Sequence, residues 1–325
     1  MTTLITGAGI IGCHTARLLA ERGVRSILMD RRPAHAAIAC IIDHPLVSIV
    51  QADVTDFEGL MTLARDRDVN QIVHTAALLS TAIRQDPVAG LQVNVMGTAH
   101  VLEAARQLKL SRVVIASSTT VGYSTFGDFH GTAFPEDFEL RALTHRPGSI
   151  YAATKIMGEH LALLYRDLYG TSVAVLRYAA VIGAWSGPGT SVPGKVLSSL
   201  LGPARRKETA VLDDPYAMWK GGEEFIDARD CARANVAALD ARSPTQGVYH
   251  IGLGTLTSFD EFVTTVSQLY PGLKVEFAVQ PAGGFAGFAH IREAASDISA
   301  AARELAWTPS YSLTDSVRYF APLLG

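Results

Sequence analysis

Tyr151 and Lys155 stand four residues apart in the segment Tyr151-Ala152-Ala153-Thr154-Lys155. Residues at this spacing on a helix share one face, so a phenol and an ammonium would lie side by side. A neighbouring ammonium favours the phenolate and lowers a tyrosine pKa that is normally near ~10. The pair therefore predicts a base that takes a proton from an alcohol near neutral pH. A surface pair on an amphipathic helix is the alternative interpretation.

Four consecutive hydroxyl side chains, Ser117-Ser118-Thr119-Thr120, lie upstream of this pair. We expect Ser118 to hold the same substrate oxygen as Tyr151, with Thr119 and Thr120 contacting the substrate nearby. The spacing alone does not separate these hydroxyls, so all four compete for the partner role.

The segment Gly7-Ala8-Gly9-Ile10-Ile11-Gly12 follows a strand-like run and begins a helix-like one. Gly7 permits a tight turn, Gly9 lets the backbone approach a pyrophosphate, and Gly12 permits close packing of helix on strand. The N–H groups at the start of the helix, which include those of Ile10 and Ile11, would meet the phosphates. The loop predicts dinucleotide binding, and with the phenol it predicts hydride transfer from a secondary alcohol to a nicotinamide. The lysine would then also bind the nicotinamide ribose.

Acidic residues follow the next two strand-like runs and predict contacts with the adenosine. A carboxylate at Asp30 would accept from both ribose hydroxyls and repel a 2′-phosphate, which favours NAD. Arg31 and Arg32 would tolerate that phosphate, so NADP is the less favoured alternative. Asp53, followed by Val54, is expected near the adenine amino group, with an Asx turn before the next helix as the alternative.

Small and amide side chains extend the expected cofactor site. Ala76 and Ala77 follow a strand-like run that ends at His74, and they would let the backbone pass close to the cofactor. His74 itself is expected to be a structural hydrogen-bonding residue. Asn94 lies in a helical pattern that disfavours asparagine, so we expect a bond to neighbouring backbone or plain exposure.

Short apolar runs alternate with longer helical patterns over the first half of the chain. This alternation predicts an α/β fold with a doubly wound parallel sheet, in which ligands bind at the carboxyl ends of the strands. The expected strands are Leu4–Thr6, Ile27–Asp30, Val47–Gln51, Ile72–Thr75, Val113–Ser117 and Val173–Arg177. The expected helices cover 12–22, 56–67, 87–108 and 151–169, and 122–150 is expected to be a long, functional or mobile loop.

The rhythm changes after Arg177, where 180–224 is rich in Gly, Pro and Ser. Phe225–Asp227, a helix over 230–241 and a strand over Val248–Ile251 suggest a return to the sheet. We therefore predict a dinucleotide-binding domain of residues 1–179 and 225–252. A smaller substrate-binding lobe would comprise residues 180–224 and 253–325.

The composition excludes several classes of function. The 325 residues are 48% hydrophobic and 18% charged, which is typical of a globular protein, and the net charge of −3 does not favour nucleic acid. We find no apolar stretch long enough to cross a bilayer and no leader-like segment, so a cytoplasmic protein is expected. Cys13, Cys40 and Cys231 lie far apart without the spacing of metal ligands, so no metal is expected.

With these residues, the chain resembles the extended short-chain dehydrogenase/reductases, the NAD-dependent epimerase/dehydratase group. The segments that carry the resemblance are 6–12, 53–56, 74–77, 94–98, 117–118, 151–155, 176–178 and 225–227. The resemblance implies that Ser118 is the catalytic hydroxyl, that Tyr151 is the acid/base and that Lys155 binds the ribose. It implies a cofactor site that includes Tyr178. It also implies a homodimer formed through a four-helix bundle, for which Ile156, Leu161, Leu164 and Leu168 offer an apolar face or, alternatively, core.

Several departures from the family pattern bear on the substrate. Ala180 stands where members acting on nucleotide sugars usually have asparagine, and Glu223 and Glu224 precede the Phe-Ile stretch, where an arginine is usual. Two carboxylates would repel a diphosphate unless they face away, and Arg292 is a candidate replacement cation. We therefore expect a smaller alcohol such as a sugar or sugar acid. Leu79, Ser80 and Trp185 are the expected contacts in a partly apolar pocket.

The chemistry predicted is that of an NAD-dependent dehydrogenase or reductase. An epimerase or dehydratase using the same residues is the alternative. Dehydration is the less favoured branch, because Thr119-Thr120 follows Ser118 where dehydratases often have an Asp-Glu pair. An NAD-sensing protein without catalysis is the rival from another class.

Overall fold

The computed structural model of the chain describes residues 1–187 and 191–321. Its strands are β1 (Thr2–Thr6), β2 (Arg25–Asp30), β3 (Val47–Gln51), β4 (Val69–His74), β5 (Arg112–Ser118), β6 (Ala133–Phe134), β7 (Val173–Tyr178), β8 (Ala180–Ile182), β9 (Thr209–Leu212), β10 (Gly222–Glu223), β11 (Phe225–Asp227), β12 (Val248–Ile251), β13 (Thr257–Ser258), β14 (Lys274–Phe277) and β15 (Ala295–Ser296). Its α-helices are α1 (Ile10–Glu21), α2 (His35–Ala39), α3 (Phe57–Asp66), α4 (Ser80–Gln85), α5 (Pro87–Leu91), α6 (Gly97–Leu108), α7 (Ile150–Tyr169), α8 (Val192–Arg206), α9 (Ala228–Asp240), α10 (Phe259–Leu269), α11 (Ser299–Leu305) and α12 (Leu313–Phe320).

A parallel sheet of seven strands forms the centre of the molecule, in the order β12-β7-β5-β4-β1-β2-β3. The chain moves outward from β1 to β3 on one side and then returns to continue outward from β4 on the other. Ligands bind such sheets at the carboxyl ends of the strands beside this reversal. Here the reversal lies between β1 and β4, whose last residues Thr6 and His74 are paired. The predicted doubly wound parallel sheet is confirmed.

The central strands are apolar throughout because helices cover both faces of the sheet. Successive side chains point to opposite faces, and Leu4 and Ile5 of β1 are both fully buried in different core clusters. Helices α1 and α9 pack together on one face, while α3, α6 and α7 pack on the other. No helix among the described residues is long and apolar enough to span a bilayer.

Each predicted strand and helix of the first half forms, with ends that differ by at most three residues. The region 87–108 differs in kind, because a π-helical turn at Gln92–Met96 separates α5 from α6. The expected return of Phe225–Asp227 to the central sheet is wrong. That segment pairs with β8 in a separate two-stranded sheet, whereas Val248–Ile251 does join the central sheet at β7.

The expected long loop over 122–150 is partly wrong. Residues Thr119–Asp128 form 3₁₀ turns, and Ala133–Phe134 pairs with β15. Tyr123, Phe126 and Phe134 are buried in a small aromatic cluster with Ala294. Burial of these large aromatic side chains fixes the segment by tertiary contacts, which leave no periodic pattern in the sequence.

The second lobe packs around a separate apolar cluster that contains Trp219 and Phe262 and that Phe225 also joins. Helix α8 was not predicted, because it lies in a stretch rich in Gly, Pro and Ser. It begins after Ser191, whose side chain accepts from the N–H of Gly194. Pro193 is tolerated in the first turn, since its missing N–H would have no partner inside the helix.

The expected apolar face of α7 is only partly exposed. Leu164 and Leu168 are 51% and 67% exposed, but Leu161 packs against the core on the α3 and α6 side of the sheet. Met157, 46% exposed, lies on the outward side instead. Ile156 is half-buried, so the exposed row runs through Met157, Leu164 and Leu168.

Candidate active site

Ser118, Tyr151 and Lys155 come together where β5 ends and α7 begins. Ser149 caps α7 by accepting from the N–H of Ala152 at 3.1 Å, which places Tyr151 in the first turn. The Ser118 side chain interacts with the Tyr151 phenol and favours its ionised form. The Lys155 Nζ lies 5.7 Å from the centre of the Tyr151 ring and donates to the Ala116 carbonyl at 2.8 Å.

The geometry separates the competing hydroxyls. The Ser117 side chain points to the opposite side of β5 and donates to the Glu159 carboxylate at 2.5 Å. Glu159 is buried and also accepts two hydrogen bonds from Arg177, at 2.9 and 2.7 Å. Ser117 is therefore committed to a buried ion pair, and Ser118 is the serine that faces the phenol.

The two threonines have different environments. The Thr120 hydroxyl donates to the Ser118 Oγ at 3.1 Å, so it lies within one hydrogen bond of the predicted catalytic serine. Thr119 is buried, and its side chain interacts with the Tyr123 phenol. The predicted substrate contact of Thr119 is not supported, because its side chain is directed into the aromatic cluster.

The expected lowering of the Tyr151 pKa is not seen in the protein alone. Burial raises the pKa of Tyr151 to about 12, because it disfavours the phenolate more than the Ser118 side chain favours it. Burial also lowers the pKa of Lys155 to about 8, against a smaller opposing effect of the Glu159 carboxylate. The ammonium does not offset the desolvation of the phenol, so Tyr151 starts as a protonated acid.

The glycine loop has the predicted shape. Gly7 adopts a φ of +90°, and a Cβ there would lie 2.6 Å from the backbone N of Ala76. A Cβ at Gly12 would collide with the carbonyl of Gly7, which confirms its role in close packing of α1 on the strand. A Cβ at Gly9 would meet nothing within 4 Å, so this backbone faces open space.

The start of α1 is left free for a ligand. Gly9 is the N-cap, and within residues 1–187 and 191–321 the first turn receives no side-chain capping hydrogen bond. The side chains of Ile10 and Ile11 pack into the two neighbouring core clusters. Only their backbone N–H groups are therefore available to phosphates. An uncapped helix start beside an open glycine fits the pyrophosphate of a dinucleotide.

Asp30 ends β2 beside this loop. Its carboxylate accepts from the N–H of Ala8 at 3.0 Å and from the N–H of Arg32 at 2.9 Å. These bonds fix the carboxylate at the carboxyl edge of the sheet, where it fits the adenosine ribose of NAD. Arg31 lies 4.0 Å from Asp53 in an exposed ion pair across the ends of β2 and β3.

Asp53 forms the Asx turn that was the alternative to an adenine contact. Its Oδ1 accepts from the N–H and hydroxyl of Thr55, at 2.9 and 2.8 Å, while Asp56 caps α3. Its Oδ2 takes part in none of these turn bonds. The Val54 side chain is buried in the core, so only the backbone of this residue can face a cofactor.

His74, Thr98 and Asn94 form a buried hydrogen-bonded row behind the site. The Thr98 hydroxyl donates to the Asn94 carbonyl, so His74 donates to Thr98 through Nε2 and accepts from Thr6 through Nδ1. Burial lowers the pKa of His74 to about 3, which keeps the ring neutral. The expected structural role of His74 is confirmed.

Asn94 lies in the π-helical turn, and its side chain is fully engaged. Its amide oxygen accepts from the N–H of Leu78, and its amide nitrogen donates to the Leu78 carbonyl and to Thr154 of α7. The expectation of a bond to neighbouring backbone is confirmed. The assignment of Asn94 as a direct cofactor contact is not supported, because it positions the Leu78 backbone and α7 instead.

The assignment of Tyr178 to the cofactor site is not supported either. Its ring is buried in the core, and its hydroxyl donates to Asn235 of α9 at 2.6 Å. Asn235 in turn donates to Thr15 of α1. Tyr178 therefore links β7 to α9 and, through Asn235, to α1. The sequence does not indicate which way the side chain of a tyrosine at a strand end points.

The expected substrate contacts lie at the same edge of the sheet but differ in exposure. Leu79, 40% exposed, and Ser80 begin α4 after the segment that Asn94 fixes, and Ala76 and Ala77 are half-buried at the end of β4. Trp185 is half-buried and packs against the core on the α1 side of the sheet. It stands two residues before the end of the first described segment.

The expected role of Arg292 is wrong. Its guanidinium is 3% exposed and is paired with both Glu223 and Glu224. It also donates to Ser296 and to the Ala294 carbonyl, so its donors are used inside the lobe. Arg292 is therefore not a cation for a substrate diphosphate, and the two glutamates are buried and neutralised rather than repulsive.

The chain is similar to known proteins in sequence and in fold. A model of the NAD dependent epimerase/dehydratase family matches residues 3–252. The putative UDP-glucose 4-epimerase of Methanocaldococcus jannaschii is 27% identical over 262 residues, which cover 80% of this chain and 79% of that protein. The dTDP-L-rhamnose 4-epimerase of Burkholderia thailandensis is 28% identical, covering 95% and 91%. The fold matches UDP-glucuronic acid 4-epimerase from Bacillus cereus, solved with UDP-glucuronic acid and NAD, with a TM-score of 0.79 at 22% identity over 100% and 99% of the two chains.

Proposed function

Because the chain belongs to the NAD-dependent epimerase/dehydratase family, we propose that it inverts a hydroxyl-bearing carbon of a sugar. The family confirms the predicted enzyme, in which NAD exchanges a hydride with an alcohol or ketone carbon. The observation that carries the proposal is the placement of Tyr151 beside Ser118 at the end of β5, with the Lys155 Nζ 5.7 Å from the centre of the Tyr151 ring. The epimerase outcome is favoured by the two curated relatives, both of which carry the names of 4-epimerases.

The chain's own residues perform the proton steps. Ser118 would orient the substrate oxygen, and the Tyr151 phenolate would remove its proton, with bound NAD supplying the hydride acceptor for the carbon. Tyr151 would return the proton to the oxygen once the carbon is reduced again from its other face. The Lys155 ammonium supplies positive charge next to the phenolate, which has to form in a buried site.

A nucleotide-linked sugar remains a candidate substrate. The two carboxylates that argued against a diphosphate are turned inward and paired with Arg292. Buried and compensated charges of this kind exert little field on a ligand in the groove.

Net oxidation of a smaller alcohol is the second candidate, and one observation favours it. Ala180 occupies the position of the usual asparagine, so a polar contact expected for a nucleotide sugar is missing there. The partly apolar Leu79 and Trp185 are consistent with a smaller substrate. Both candidates use the same three catalytic residues.

We propose the following division of the chain and the site. Residues 1–179 and 225–252 bind the cofactor, and 180–224 and 253–325 form the substrate-binding lobe. The N–H groups of the 7–12 loop hold the pyrophosphate, Asp30 the ribose, and Asp53 with the Val54 backbone the adenine. The proposed substrate side is lined by Leu79, Ser80, Thr120 and Trp185.

We also propose a homodimer and a cytoplasmic location. The homodimer is supported by the exposed apolar row of Met157, Leu164 and Leu168 on α7, since such a row is stabilised by an apolar partner. A reducing compartment is supported by Cys13, Cys40 and Cys231, which are free thiols in the structure.

The test follows the fate of the hydride. The purified protein is denatured and released NAD is counted, and the intact protein is incubated with UDP-glucose, UDP-glucuronate or dTDP-rhamnose without added NAD. Retained NAD near one per chain, with inversion of the sugar and no accumulating NADH, supports the epimerase. Net NADH formed from added NAD, with an oxidised product, would overturn it in favour of the dehydrogenase.

A further inference from the structure

Arg112 is the first residue of β5, at the edge of the central sheet opposite to Ser118. Its side chain is 7% exposed, and its Nη2 donates to the carbonyl of Ala241 just after α9. Its Nη1 is buried without a hydrogen-bond partner among the described residues, where it also has no carboxylate within ion-pair distance. A buried guanidinium without a counter-charge is strongly unfavourable, so this group calls for a negatively charged partner.

A second unsatisfied group lies in the same cavity. Thr171, 7% exposed, has a buried hydroxyl with no hydrogen-bond partner in residues 1–187 and 191–321. Thr171 and Arg112 line one cavity of about 240 Å³, whose wall also contains Arg166, Ser172 and Arg242. Three guanidinium groups and four hydroxyls, counting Ser243 and Thr245, thus line an open space large enough for several waters or one small anion.

The negative groups around the cavity are already engaged. Helices α7 and α9 both end here, and their last carbonyls carry partial negative charge. Arg112 Nη2 satisfies the Ala241 carbonyl, and Arg166 pairs with Asp167 and donates to the carbonyls of Thr245 and Gln246. Arg242 forms no ion pair within the described part of the chain, so net positive charge remains.

We propose that this cavity binds a phosphate group, held by Arg112 and Thr171 with Arg242 at its mouth. Guanidinium and hydroxyl donors are suited to a tetrahedral oxyanion, which accepts several hydrogen bonds at once. The cavity adjoins a groove of about 750 Å³ through Arg242 and Ser243, so the phosphate can be free or esterified.

This site is distinct from the nucleotide loop. Strand β5 runs from Arg112 to Ser118, and six residues of strand span roughly 20 Å. Helix α7 likewise begins beside the proposed catalytic residues and ends at Gly170, which lines the cavity.

The test is a calorimetric titration of inorganic phosphate into NAD-saturated protein, with ionic strength held constant by chloride. NAD fills the glycine loop, which would otherwise compete for phosphate. We expect one saturable site per chain. Arg112→Gln and Thr171→Val should each weaken phosphate binding by about tenfold or more, the effect of losing one charge-assisted hydrogen bond. Arg25→Gln is the matched control, because Arg25 is an exposed arginine at the same edge of the sheet.

Thr171→Val keeps the Arg112 bond to Ala241, so it tests the site even where Arg112→Gln disturbs folding. Circular dichroism establishes that each variant is folded. Glycerol phosphate, a phosphate ester, is titrated in parallel. Tighter binding of the ester than of inorganic phosphate indicates an esterified ligand, and weaker binding indicates free phosphate. Absence of saturable phosphate binding, or wild-type affinity in folded Thr171→Val, would overturn the proposal.

Discussion

At the scale of single residues, the site is governed by desolvation of Tyr151 and Lys155. Both side chains are ionisable groups withdrawn from water, and burial disfavours the charged form of each. The phenol therefore stays protonated near neutral pH, and the pKa of the amine is lowered to about 8. This pair of shifts has a defined consequence for the dependence of rate on pH.

We predict that kcat/KM for alcohol oxidation rises about tenfold per pH unit and then becomes level near pH 8. The Tyr151 pKa of about 12 makes the phenolate fraction rise throughout, while loss of the Lys155 ammonium above its pKa of about 8 cancels that rise. Steady-state rates across the pH range measure the profile. A continued rise well above pH 8 would contradict the role of the ammonium.

Tyr151→Phe should lower kcat by roughly 10²–10⁴-fold, since it removes the acid/base while keeping the ring. NAD binding, followed by calorimetry, should change little. The variant Tyr165→Phe is a control on the same helix, because the Tyr165 hydroxyl bonds Glu103 away from the site. Substantial turnover in Tyr151→Phe would contradict the assignment of Tyr151 as the acid/base.

The two adjacent serines should respond in opposite ways to alanine. Ser118→Ala should lower kcat by about 10²-fold or more with little effect on stability, because its hydroxyl lies beside the Tyr151 phenol and would hold the substrate oxygen. Ser117→Ala should keep most activity but lose about 1–3 kcal/mol of stability, because Glu159 loses a buried hydrogen bond. Urea unfolding and steady-state kinetics on both variants measure this contrast, and equal losses of kcat would contradict it.

At the scale of elements, buried ion pairs and hydrogen bonds set where the site's segments lie. The π-helical turn places Asn94 between the Leu78 backbone and α7. In the second lobe, Arg292 joins β10 to the segment that leads into β15. These bonds are made between segments far apart in the chain, so each couples two elements that neither could position alone.

Arg292→Met should destabilise the protein by about 3–5 kcal/mol, because it leaves Glu223 and Glu224 buried without a counter-charge. Burial already raises the pKa of Glu223, and loss of Arg292 would raise it further. A carboxyl whose folded pKa is raised favours the folded state at low pH, so the deficit should shrink as pH falls toward ~4.

Thermal unfolding at several pH values measures this effect. Arg318→Met is the control, since its ion pair with Asp315 is exposed and should contribute little. A deficit independent of pH would contradict the assignment of the loss to the two carboxylates.

At the scale of the whole molecule, the exposed row on α7 predicts association. Leu164→Glu with Leu168→Glu should convert a dimer to monomers, because charges would have to be buried in the interface. Light scattering after gel filtration measures the mass in solution. Leu143→Glu, at a site that is 82% exposed in the segment before α7, should leave the mass unchanged. A monomeric wild-type protein would contradict the proposed dimer.

The sequence by itself determined the parallel sheet, the glycine loop and the Tyr151–Lys155 pair. Each depends on local periodicity or on spacing within one element, which a linear pattern records directly. The sequence also determined that strand ends carry the polar residues of the site, since parallel strands present their carboxyl ends at one edge. Family membership follows from these same local segments.

Only the tertiary structure decided where individual side chains point and what they pair with. Ser117 and Ser118 are adjacent serines, but their side chains point to opposite sides of β5. Ser117 donates to Glu159, whereas Ser118 lies beside the Tyr151 phenol. Arg292 was misassigned because its partners Glu223 and Glu224 are distant in the chain, and the direction of the Tyr178 side chain was likewise not predictable. Such pairings and the desolvation that shifts pKa values depend on the packed interior, which exists only once all elements are in place.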